Sequence, residues 1–456
     1  MKKNPVSIPH TVWYADDIRR GEREAADALG LTLYELMLRA GEAAFQVCRS
    51  AYPDARHWLV LCGHGNNGGD GYVVARLAKA VGIEVTLLAQ ESDKPLPEEA
   101  ALAREAWLNA GGEIHASNIV WPESVDLIVD ALLGTGLQQA PRESISQLID
   151  HANTHPAPIV AVDIPSGLLA ETGAMPGAVI NADHTITFIA LKPGLLTGKA
   201  RDVTGQLHFD SLGLDSWLAG QETKIQRFSA EQLSHWLKPR RPTSHKGDHG
   251  RVVIIGGDHG TAGAIRMTGE AALRAGAGLV RVLTRSENIA PLLTARPELM
   301  VHELTMDSLT ESLEWADVLV IGPGLGQQEW GKKALQKVEN FRKPMLWDAD
   351  ALNLLAINPD KRHNRVITPH PGEAARLLGC SVAEIESDRL HCAKRLVQRY
   401  GGVAVLKGAG TVVAAHPDAL GIIDAGNAGM ASGGMGDVLS GIIGALLGQK
   451  LSPYDA

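Results

Sequence analysis

The chain has 456 residues, more than a single hydrophobic core usually holds, so two domains are expected. Hydrophobic residues make up 45% and charged residues 21%, which is the balance of an ordinary globular protein with ample core. The formal net charge of −9 argues against a protein that binds the phosphate backbone of a nucleic acid.

The cysteines and the N-terminal segment indicate the cellular compartment. Cys48, Cys62, Cys380 and Cys392 are scattered without the spacing of metal ligands, as in proteins with reduced cytosolic thiols. Residues 1–5 carry positive charge, but the apolar segment of a secretory signal does not follow them. No stretch approaches the ~20 apolar residues of a membrane span. The sequence therefore predicts a cytoplasmic protein.

A glycine-rich loop follows the first predicted strand. Leucine spacing predicts a helix over residues 13–41, and the apolar run 57–62 predicts a strand. Residues 63–71 then carry a Gly-x-Gly-x-x-Gly pattern, and a helix is predicted over 72–81. This order is typical of dinucleotide-binding domains, but residues 66–70 add two amides and a carboxylate where a dehydrogenase keeps plain backbone. A tight turn stabilised by Asn and Asp side chains is the competing interpretation.

Two further predicted strands of the first half end in acidic residues. Asp130 closes one of them and Asp163 closes the other, with Ser166 shortly after it. Because the carboxyl ends of parallel strands face one crevice, Asn67, Asp130 and Asp163 are expected along one edge of the domain. Their oxygens and the Ser166 region suit an alkali or alkaline-earth cation. Capping of the neighbouring turns is the alternative.

The alternation of strands and helices is interrupted once. It is lost between residues 214 and 229, where 220–224 is polar, so we place domains at 1–220 and 221–456. A second strand–glycine–helix unit begins with the apolar run 251–255, and both halves are predicted to be α/β with parallel strands. The Gly-x-x-x-x-Gly-Lys-Ser/Thr pattern is absent from the sequence, which excludes a P-loop NTPase.

A run of glycines and small residues, 427–437, precedes an apolar run, 438–447, that predicts a buried helix. The N–H groups at a helix N-terminus favour a phosphate by roughly 0.3–1 kcal/mol per charge at exposed sites. Asp437 departs from this pattern, because a carboxylate repels a phosphate, and it indicates a proton acceptor or a metal anchor. A helix N-cap is the competing interpretation. Lys407, followed by a small-residue turn, also suits a nucleotide phosphate.

Both halves resemble known families. The motif at 433–437 resembles the vitamin-kinase-like branch of the ribokinase-like kinases, in which a glycine run ending in Asp forms an anion hole and the Asp takes a hydroxyl proton. The motifs at 65–71 and 163–167 resemble an epimerase domain. Together, in this order, they are similar to the bacterial bifunctional NAD(P)H-hydrate repair enzymes.

The resemblance implies a fold and an activity for each half. The first would be a Rossmann-like three-layer α/β/α domain that interconverts the R and S hydrates of NADH and NADPH. The second would be a ribokinase-like α/β domain, ending here before the last helices of the family pattern, that dehydrates the S hydrate with ADP. Potassium is implied for the first domain and magnesium with ADP for the second. The expected partners are the hydrates and ADP, without nucleic acid or membrane, in a homo-oligomer.

The resemblance also assigns residues. Asp437 would be the catalytic base, and Asp163 is the catalytic candidate of the first domain. The hydrate in the first domain would be held by Asn66, Asn67, Gly68, Gly69, Asp70, Gly134, Thr135, Gly136, Leu137, Gln138, Gln139, Ala140 and Asp163. Potassium would be bound by Asn67, Asp130 and Ser166. The hydrate in the second domain would be held by Gly263, Gly324, His370 and Asp437, and the nucleotide by Lys407, Gly408, Ala409, Gly410, Thr411, Gly434 and Gly436.

Two other classes of protein remain compatible with the residues. A small-molecule hydroxyl kinase with a regulatory nucleotide-binding Rossmann-like domain fits the second half at the level of fold. A non-catalytic nucleotide sensor fits the glycine loops but leaves Asp437 unexplained. ADP-dependent consumption of hydrated NADH separates the repair enzyme from both.

Overall fold

The computed structural model describes residues 8–456, and the chain divides into two compact units between Arg227 and Phe228. Residues 1–5, considered above for a targeting signal, lie outside the described residues. In the described part of the chain, no helix combines the length and the apolar character that a membrane span requires.

The first unit is an α/β structure with a parallel sheet. Its strands are β1 (Thr11–Val12), β2 (His57–Cys62), β3 (Glu84–Ala89), β4 (His115–Ala116), β5 (Leu127–Ala131), β6 (Ile159–Val162), β7 (His184–Phe188), β8 (Gln206–Asp210) and β9 (Ile225–Arg227). Its helices are α1 (Ala15–Leu29), α2 (Leu33–Ala51), α3 (Asn66–Ala80), α4 (Glu98–Asn109), α5 (Glu143–Thr154), α6 (Ala200–Val203) and α7 (Asp215–Ala219). The sheet order is β4-β3-β2-β5-β6-β7-β8, with parallel neighbours throughout, and β1 pairs with β9 antiparallel.

The strand order of this sheet locates a binding crevice. β2, β5 and β6 are buried at every residue, as expected for parallel strands with helices on both faces. The order reverses between β2 and β5, because β3 and β4 lie beyond β2 while the later strands lie beyond β5. Ligands of open α/β sheets bind at such a switch point, at the carboxyl ends of the strands.

The prediction of one helix over 13–41 is wrong in one respect, because this segment contains two helices, α1 and the first part of α2. Gly30 adopts φ +66° and ends α1, a conformation that glycine reaches without steric strain. Thr32 then caps α2: its hydroxyl accepts from the N–H of Glu35 (3.1 Å), whose carboxylate accepts from the N–H of Thr32 (2.7 Å). Leucine spacing continues across the break, so periodicity alone did not reveal it.

The predicted glycine loop at 63–71 is shorter than expected, because α3 already begins at Asn66. The glycines inside this helix allow close packing. A Cβ on Gly68 would lie 2.1 Å from the carbonyl oxygen of Gly63, and one on Gly71 would lie 2.7 Å from Cβ of Ala131. The glycines therefore bring α3 against the ends of β2 and β5, where no side chain would fit.

The second unit is also α/β. Its strands are β10 (Arg251–Ile255), β11 (Leu279–Thr284), β12 (Met300–Glu303), β13 (Val318–Ile321), β14 (Met345–Trp347), β15 (Arg365–Ile367), β16 (Val403–Leu406), β17 (Thr411–Ala415) and β18 (Ala419–Ile423). Its helices are α8 (Leu233–Trp236), α9 (Ala262–Arg274), α10 (Ile289–Ala295), α11 (Met306–Trp315), α12 (Glu329–Val338), α13 (Asp350–Ile357), α14 (Pro371–Leu378), α15 (Val382–Ser387), α16 (Arg389–Tyr400) and α17 (Met435–Gly448).

The sheet of the second unit runs in the order β18-β17-β16-β15-β14-β13-β10-β11-β12. The strands from β12 to β16 are parallel, and β17 and β18 continue the sheet antiparallel. α17 lies directly against α9, since a Cβ on Gly441 would be 2.2 Å from the carbonyl oxygen of Thr268. This contact holds the N-terminus of α17, and with it Asp437, near the N-terminus of α9.

Candidate active sites

A cavity of about 630 Å³ lies in the first unit beside the loops that follow β2 and β5. Its volume is in the range typical of small-molecule sites. The predicted hydrate-binding residues on its wall are Asn66, Asn67, Asp70, Gly134, Thr135, Gly136, Leu137, Gln139, Ala140 and Asp163. Gly68, Gly69 and Gln138 do not line it. The glycines instead allow packing, because a Cβ on Gly69 would lie 2.5 Å from Cε of Met37.

An ion pair that the sequence analysis missed lies on the wall of this cavity. Lys192 is 2% exposed, and its ammonium donates to Oδ1 of Asp163 (2.7 Å), to the Thr187 hydroxyl (2.8 Å) and to the Phe188 carbonyl (2.8 Å). Asp163 Oδ1 also accepts from the Thr187 hydroxyl (3.1 Å). Asp163 has φ +67°, a strained conformation for a residue other than glycine. A buried ammonium group requires such partners. The position of Lys192 between apolar and small residues in the sequence was therefore the available sign of a buried ion pair.

Two more carboxyl groups on the cavity wall, those of Asp70 and Glu22, have raised pKa values. Burial raises the pKa of Asp70 well above its ordinary value; the charges of Asp163 and Glu22 add to this rise, and Lys192 opposes it. Burial likewise raises the pKa of Glu22, with a further contribution from Asp163. Burial and the mutual repulsion of these carboxyl groups thus favour the protonated forms of Asp70 and Glu22 more than water would.

The three residues predicted to bind potassium lie together next to the cavity, and Asn67 forms part of its wall. Asp130 is fully buried; its Oδ1 accepts from the Ser166 hydroxyl (2.6 Å), and its Oδ2 accepts from the Ser166 N–H (2.8 Å). The Asn67 amide donates to the Leu133 carbonyl (3.0 Å), which the Ser166 hydroxyl also approaches (3.3 Å). Burial raises the pKa of Asp130 to about 6, against the lowering effect of the Ser166 hydrogen bonds.

The chemistry of these residues fits a monovalent cation. Oδ1 of Asn67 is buried and has no hydrogen-bond partner among residues 8–456, an uncommon state for a polar atom. The amide nitrogen of Asn67 contacts the Leu133 carbonyl, which the Ser166 hydroxyl also approaches, and that hydroxyl donates to the Asp130 carboxylate. All of these oxygens are hard donors. One negative charge among neutral oxygens suits a weakly hydrated ion such as potassium better than zinc, which prefers nitrogen or sulfur.

The second unit places its predicted residues at the carboxyl ends of parallel strands. The segments that directly follow β10, β13, β15 and β16 contain Gly263, Gly324, His370 and Lys407, which places these residues at one edge of the sheet. Gly434 adopts φ +89° immediately before α17, and Gly436 and Asp437 lie in the first turn of that helix. The N–H groups of this turn are those that lack partners within a helix.

Asp348, to which no role was assigned from the sequence, organises this edge. Its buried carboxylate accepts at Oδ1 from the Thr368 hydroxyl (2.9 Å) and the Lys407 ammonium (3.2 Å), and at Oδ2 from the Ser440 hydroxyl (2.8 Å). A Cβ on Gly436 would lie 3.1 Å from Nζ of Lys407. Asp348 thereby fixes the lysine of one loop against the first turn of α17.

Asp437 is half-buried beside these charges. Burial raises its pKa above the ordinary value, Asp348 adds to the rise, and Lys407 opposes it. A carboxyl whose pKa moves toward neutrality in a site of this kind suits proton transfer.

His370 caps the N-terminus of α14 through Nδ1 of its ring, which leaves Nε2 for other contacts. Nδ1 accepts from the N–H of Gly372 (3.0 Å) and of Glu373 (3.3 Å), which assigns the proton to Nε2 in the neutral ring. Burial lowers the pKa of His370, and the charges of Lys407 and Arg376 lower it further. The neutral imidazole is therefore a hydrogen-bond donor at Nε2.

Arg389, also missed, holds the predicted nucleotide turn. Its guanidinium is buried and donates to the carbonyls of Leu406 (3.1 Å) and Lys407 (3.0 Å). A Cβ on Gly408 would lie 2.6 Å from Nη2 of Arg389. The Thr411 hydroxyl donates to the Gly408 carbonyl (3.0 Å), so the turn containing Ala409 and Gly410 is tied at both ends.

The remaining predicted residues lie near the N-terminus of α9. Gly324 has φ +60°, and its carbonyl accepts from the Thr261 hydroxyl (2.9 Å). Gly263 is in the first turn of α9, and apart from its chain neighbours and the backbone of its own helix, no atom of residues 8–456 lies within 4 Å of the position that a Cβ would take there. A ligand can therefore approach the backbone at Gly263 closely.

Taken together, fold and sites define a two-domain α/β enzyme, with an acid-lined cavity in one unit and a carboxylate beside a lysine and a glycine turn in the other. Residues 33–194 match the family model for the YjeF-related protein N-terminus, and residues 252–456 match that for NAD(P)H-hydrate dehydratase. The chain is 99% identical to the bifunctional NAD(P)H-hydrate repair enzyme Nnr of Escherichia coli K12, over 100% of this chain and 88% of that protein.

More distant proteins match as well. The chain is 45% identical to the bifunctional NAD(P)H-hydrate repair enzyme Nnr of Vibrio cholerae, over 98% of this chain and 91% of the relative. Among solved structures, a ribokinase-like superfamily protein from Enterococcus faecalis is 33% identical, with 50% of this chain and 82% of that chain covered and a TM-score of 0.47. The chain belongs to the bifunctional NAD(P)H-hydrate repair enzymes, which join an epimerase domain to an ADP-dependent dehydratase domain. The predicted fold class and function are confirmed.

Proposed function

We propose that Asp437 is the general base of the dehydratase and that ADP is held by Lys407, the turn 408–411, Gly434 and Gly436. The observation that carries this proposal is the half-buried Asp437 carboxyl, whose raised pKa arises from burial and from Asp348 and is opposed by Lys407. The hydrate would lie between Gly263, Gly324, His370 and Asp437.

The chemistry follows from the structure of the hydrate. Its hydroxyl is on the ring carbon next to the ring nitrogen and is a poor leaving group. Asp437 takes the hydroxyl proton, the oxygen attacks the terminal phosphorus of ADP, and AMP departs. The nitrogen lone pair then expels phosphate, and loss of a proton from the neighbouring carbon forms the ring double bond. Hydrate and ADP thus yield NAD(P)H, AMP and phosphate.

Side chains of this chain position and stabilise these steps. Lys407 would offset the negative charge of the phosphate oxygens. The N–H groups near Gly434 and Gly436 would donate hydrogen bonds to the same oxygens as negative charge develops on them in the transition state. Among residues 8–456 there is no cluster of three or more His, Cys, Asp or Glu suited to a metal ion. This fits magnesium held mainly by the phosphates and water, where it would offset their charge.

The first domain would supply the S hydrate by epimerising the R form, with the hydrate bound in the cavity beside Asp163. We propose a domain boundary near Gly220; because β9 pairs with β1, the fragment that tests it ends at Arg227. That fragment is expected to be soluble and to interconvert the hydrate epimers without nucleotide, because it has its own core and its own cavity. Epimer ratios measured by NMR report the activity. An unfolded or inert fragment would contradict independent domains.

We propose that potassium is bound by Asn67, Asp130 and Ser166. At about 100 times the dissociation constant, a ligand stabilises the folded state by about 2.7 kcal/mol. In a domain of this size that corresponds to a rise of roughly 5–10 °C in melting temperature. The expected result is a higher melting temperature in potassium than in a large organic cation at equal ionic strength, largely lost in Asp130→Ala.

The exposed Asp54 provides the matched control, since Asp54→Ala removes the same charge away from the site. That variant should keep the potassium effect. Equal melting curves of the wild type in both cations would contradict a potassium site.

Two broader expectations concern location and assembly. We propose a cytoplasmic enzyme, which agrees with the free cysteines, and a homo-oligomer. Sedimentation velocity measures the oligomeric state, and a monomer at cellular concentration would contradict the second expectation.

A further inference from the structure

The wall of the cavity in the first unit carries the carboxyl groups of Glu22, Asp70, Glu99 and Asp163, and three of these differ in their partners. Asp163 is bound by the Lys192 ammonium at 2.7 Å, and the other donors of that ammonium are taken by Thr187 and the Phe188 carbonyl. Lys192 therefore has no proton left to direct at a ligand. Glu22, on α1, and Asp70, on α3, face the same space, and within the described residues 8–456 neither is bound by an ammonium in this way.

Asp70 has the geometry of a proton donor to a ligand. Within residues 8–456, no group donates a hydrogen bond to its carboxyl, which lines the cavity wall on the α3 side. Asp70 lies one helical turn after Asn66 and Asn67, which are predicted to hold the hydrate. Because α3 is a rigid helix fixed by its glycine contacts, this carboxyl is held in place relative to the bound ring.

We propose that Asp70 is the catalytic acid and base of hydrate epimerisation; this inference rests on the proposed binding of the hydrate in this cavity. The Asp70 carboxyl gives its proton to the hydroxyl of the hydrate, the carbon–oxygen bond breaks, and water departs. The ring nitrogen supplies the electron pair that forms a carbon–nitrogen double bond. Water then adds to the opposite face of the carbon and returns a proton to the Asp70 carboxylate, so atoms and charges balance.

The other charged groups complete the mechanism. The intermediate ring is cationic, and the carboxylates of Glu22 and Asp163 would stabilise it. Burial and these two neighbours raise the pKa of Asp70, so the acid form is populated where an ordinary aspartate is ionised. The remaining charged or titratable residues of the wall are Arg19, His64, Lys94, Glu99 and Arg142.

Epimerisation by the full-length chain without ADP tests the role of Asp70, with the R and S hydrates followed by NMR. Asp70→Asn is expected to lower kcat by at least roughly 100-fold, with KM changed far less, because only proton transfer is removed. Asp70→Glu should recover part of kcat. Glu98→Gln, an exposed change on α4 outside the cavity, should leave epimerisation unchanged. Thermal unfolding of the fragment that ends at Arg227, compared between each variant and the wild type, reports that the first unit is folded.

The pH profile distinguishes a catalytic Asp70 from a structural one. Because the acid form is required, kcat should fall as pH rises through the pKa of Asp70. Glu22→Gln removes one like charge, lowers that pKa and should move the fall to lower pH. An unmoved profile, or Asp70→Asn with more than a third of the wild-type kcat, would overturn the assignment.

A second variant separates this proposal from the location of the hydrate. Thr135→Trp places a large side chain on the cavity wall and is expected to abolish epimerisation by excluding the hydrate. If Thr135→Trp is inactive while Asp70→Asn turns over normally, the cavity is the site and Asp70 is not its acid. If both variants turn over normally, the cavity does not bind the hydrate and both proposals fail.

Discussion

Asp437→Asn is expected to lower dehydratase turnover by roughly 10²–10⁴-fold, because the amide keeps the shape of the carboxylate but cannot accept the hydroxyl proton. Adenine-nucleotide affinity should hold or rise, since a negative charge beside the phosphates is removed. The measurement is the ADP-dependent rate with saturating S hydrate, together with nucleotide affinity by calorimetry.

The same chain provides the control, because epimerisation depends on residues of the other unit. Epimerase activity of Asp437→Asn should equal that of the wild type, as should both activities of Asp307→Asn, an exposed change on α11. Burial and Asp348 raise the pKa of Asp437, and the base must be ionised to act. Wild-type turnover should therefore fall as pH decreases through that raised pKa. Near-normal turnover in Asp437→Asn would rule out the base assignment.

Lys407→Met is expected to lower dehydratase kcat/KM by roughly 10²–10³-fold, the usual effect of removing one charge-stabilising donor from a transition state. Nζ of Lys407 lies 3.2 Å from Oδ1 of Asp348 and close to the first turn of α17, where the phosphates are proposed to bind. The loss also removes the charge that opposes the raised pKa of Asp437. The acid-side fall in rate should then move to higher pH.

Lys407→Arg and Lys332→Met complete this experiment. Arg keeps the positive charge and should recover part of the rate, although its planar group cannot reproduce the position of the ammonium. Lys332 is exposed on α12, and its replacement by Met should change neither kcat nor KM. A Lys407→Met enzyme with kcat/KM within a few-fold of wild type would show that the phosphates bind elsewhere.

Local sequence patterns predicted much of the fold. Apolar runs ending in Asp or Gly predicted β2, β5, β6 and β10 to within a residue or two, because parallel buried strands are continuous apolar segments. The break at Gly30 and the early start of α3 were missed. Both features depend on the backbone angles and the close contacts of glycine residues, and hydrophobic periodicity carries no information about either.

The candidate sites were predictable where a motif is contiguous in sequence. The glycines before Asp437 and the amides before Asp70 are local features. Lys192 and Asp348 were missed because their meaning depends on partners distant in sequence: Lys192 binds a residue 29 positions away, and Asp348 binds Lys407 at a separation of 59. Arg389 acts through backbone carbonyls and therefore leaves no motif. The roles of such residues can be assigned only from the folded structure, in which the sheet places loops that are distant in sequence next to each other.

The return of reduced-nicotinamide absorbance from a mixture of R and S hydrates, with and without ADP, tests the two-site account most directly. With ADP, the wild-type chain should restore the whole mixture. Asp437→Asn should restore almost none, and Asp70→Asn should restore the S fraction rapidly and the R fraction only at the spontaneous rate of epimerisation. Without ADP, none should return. Recovery of the mixture without ADP, or full rapid recovery by both variants, would contradict the account.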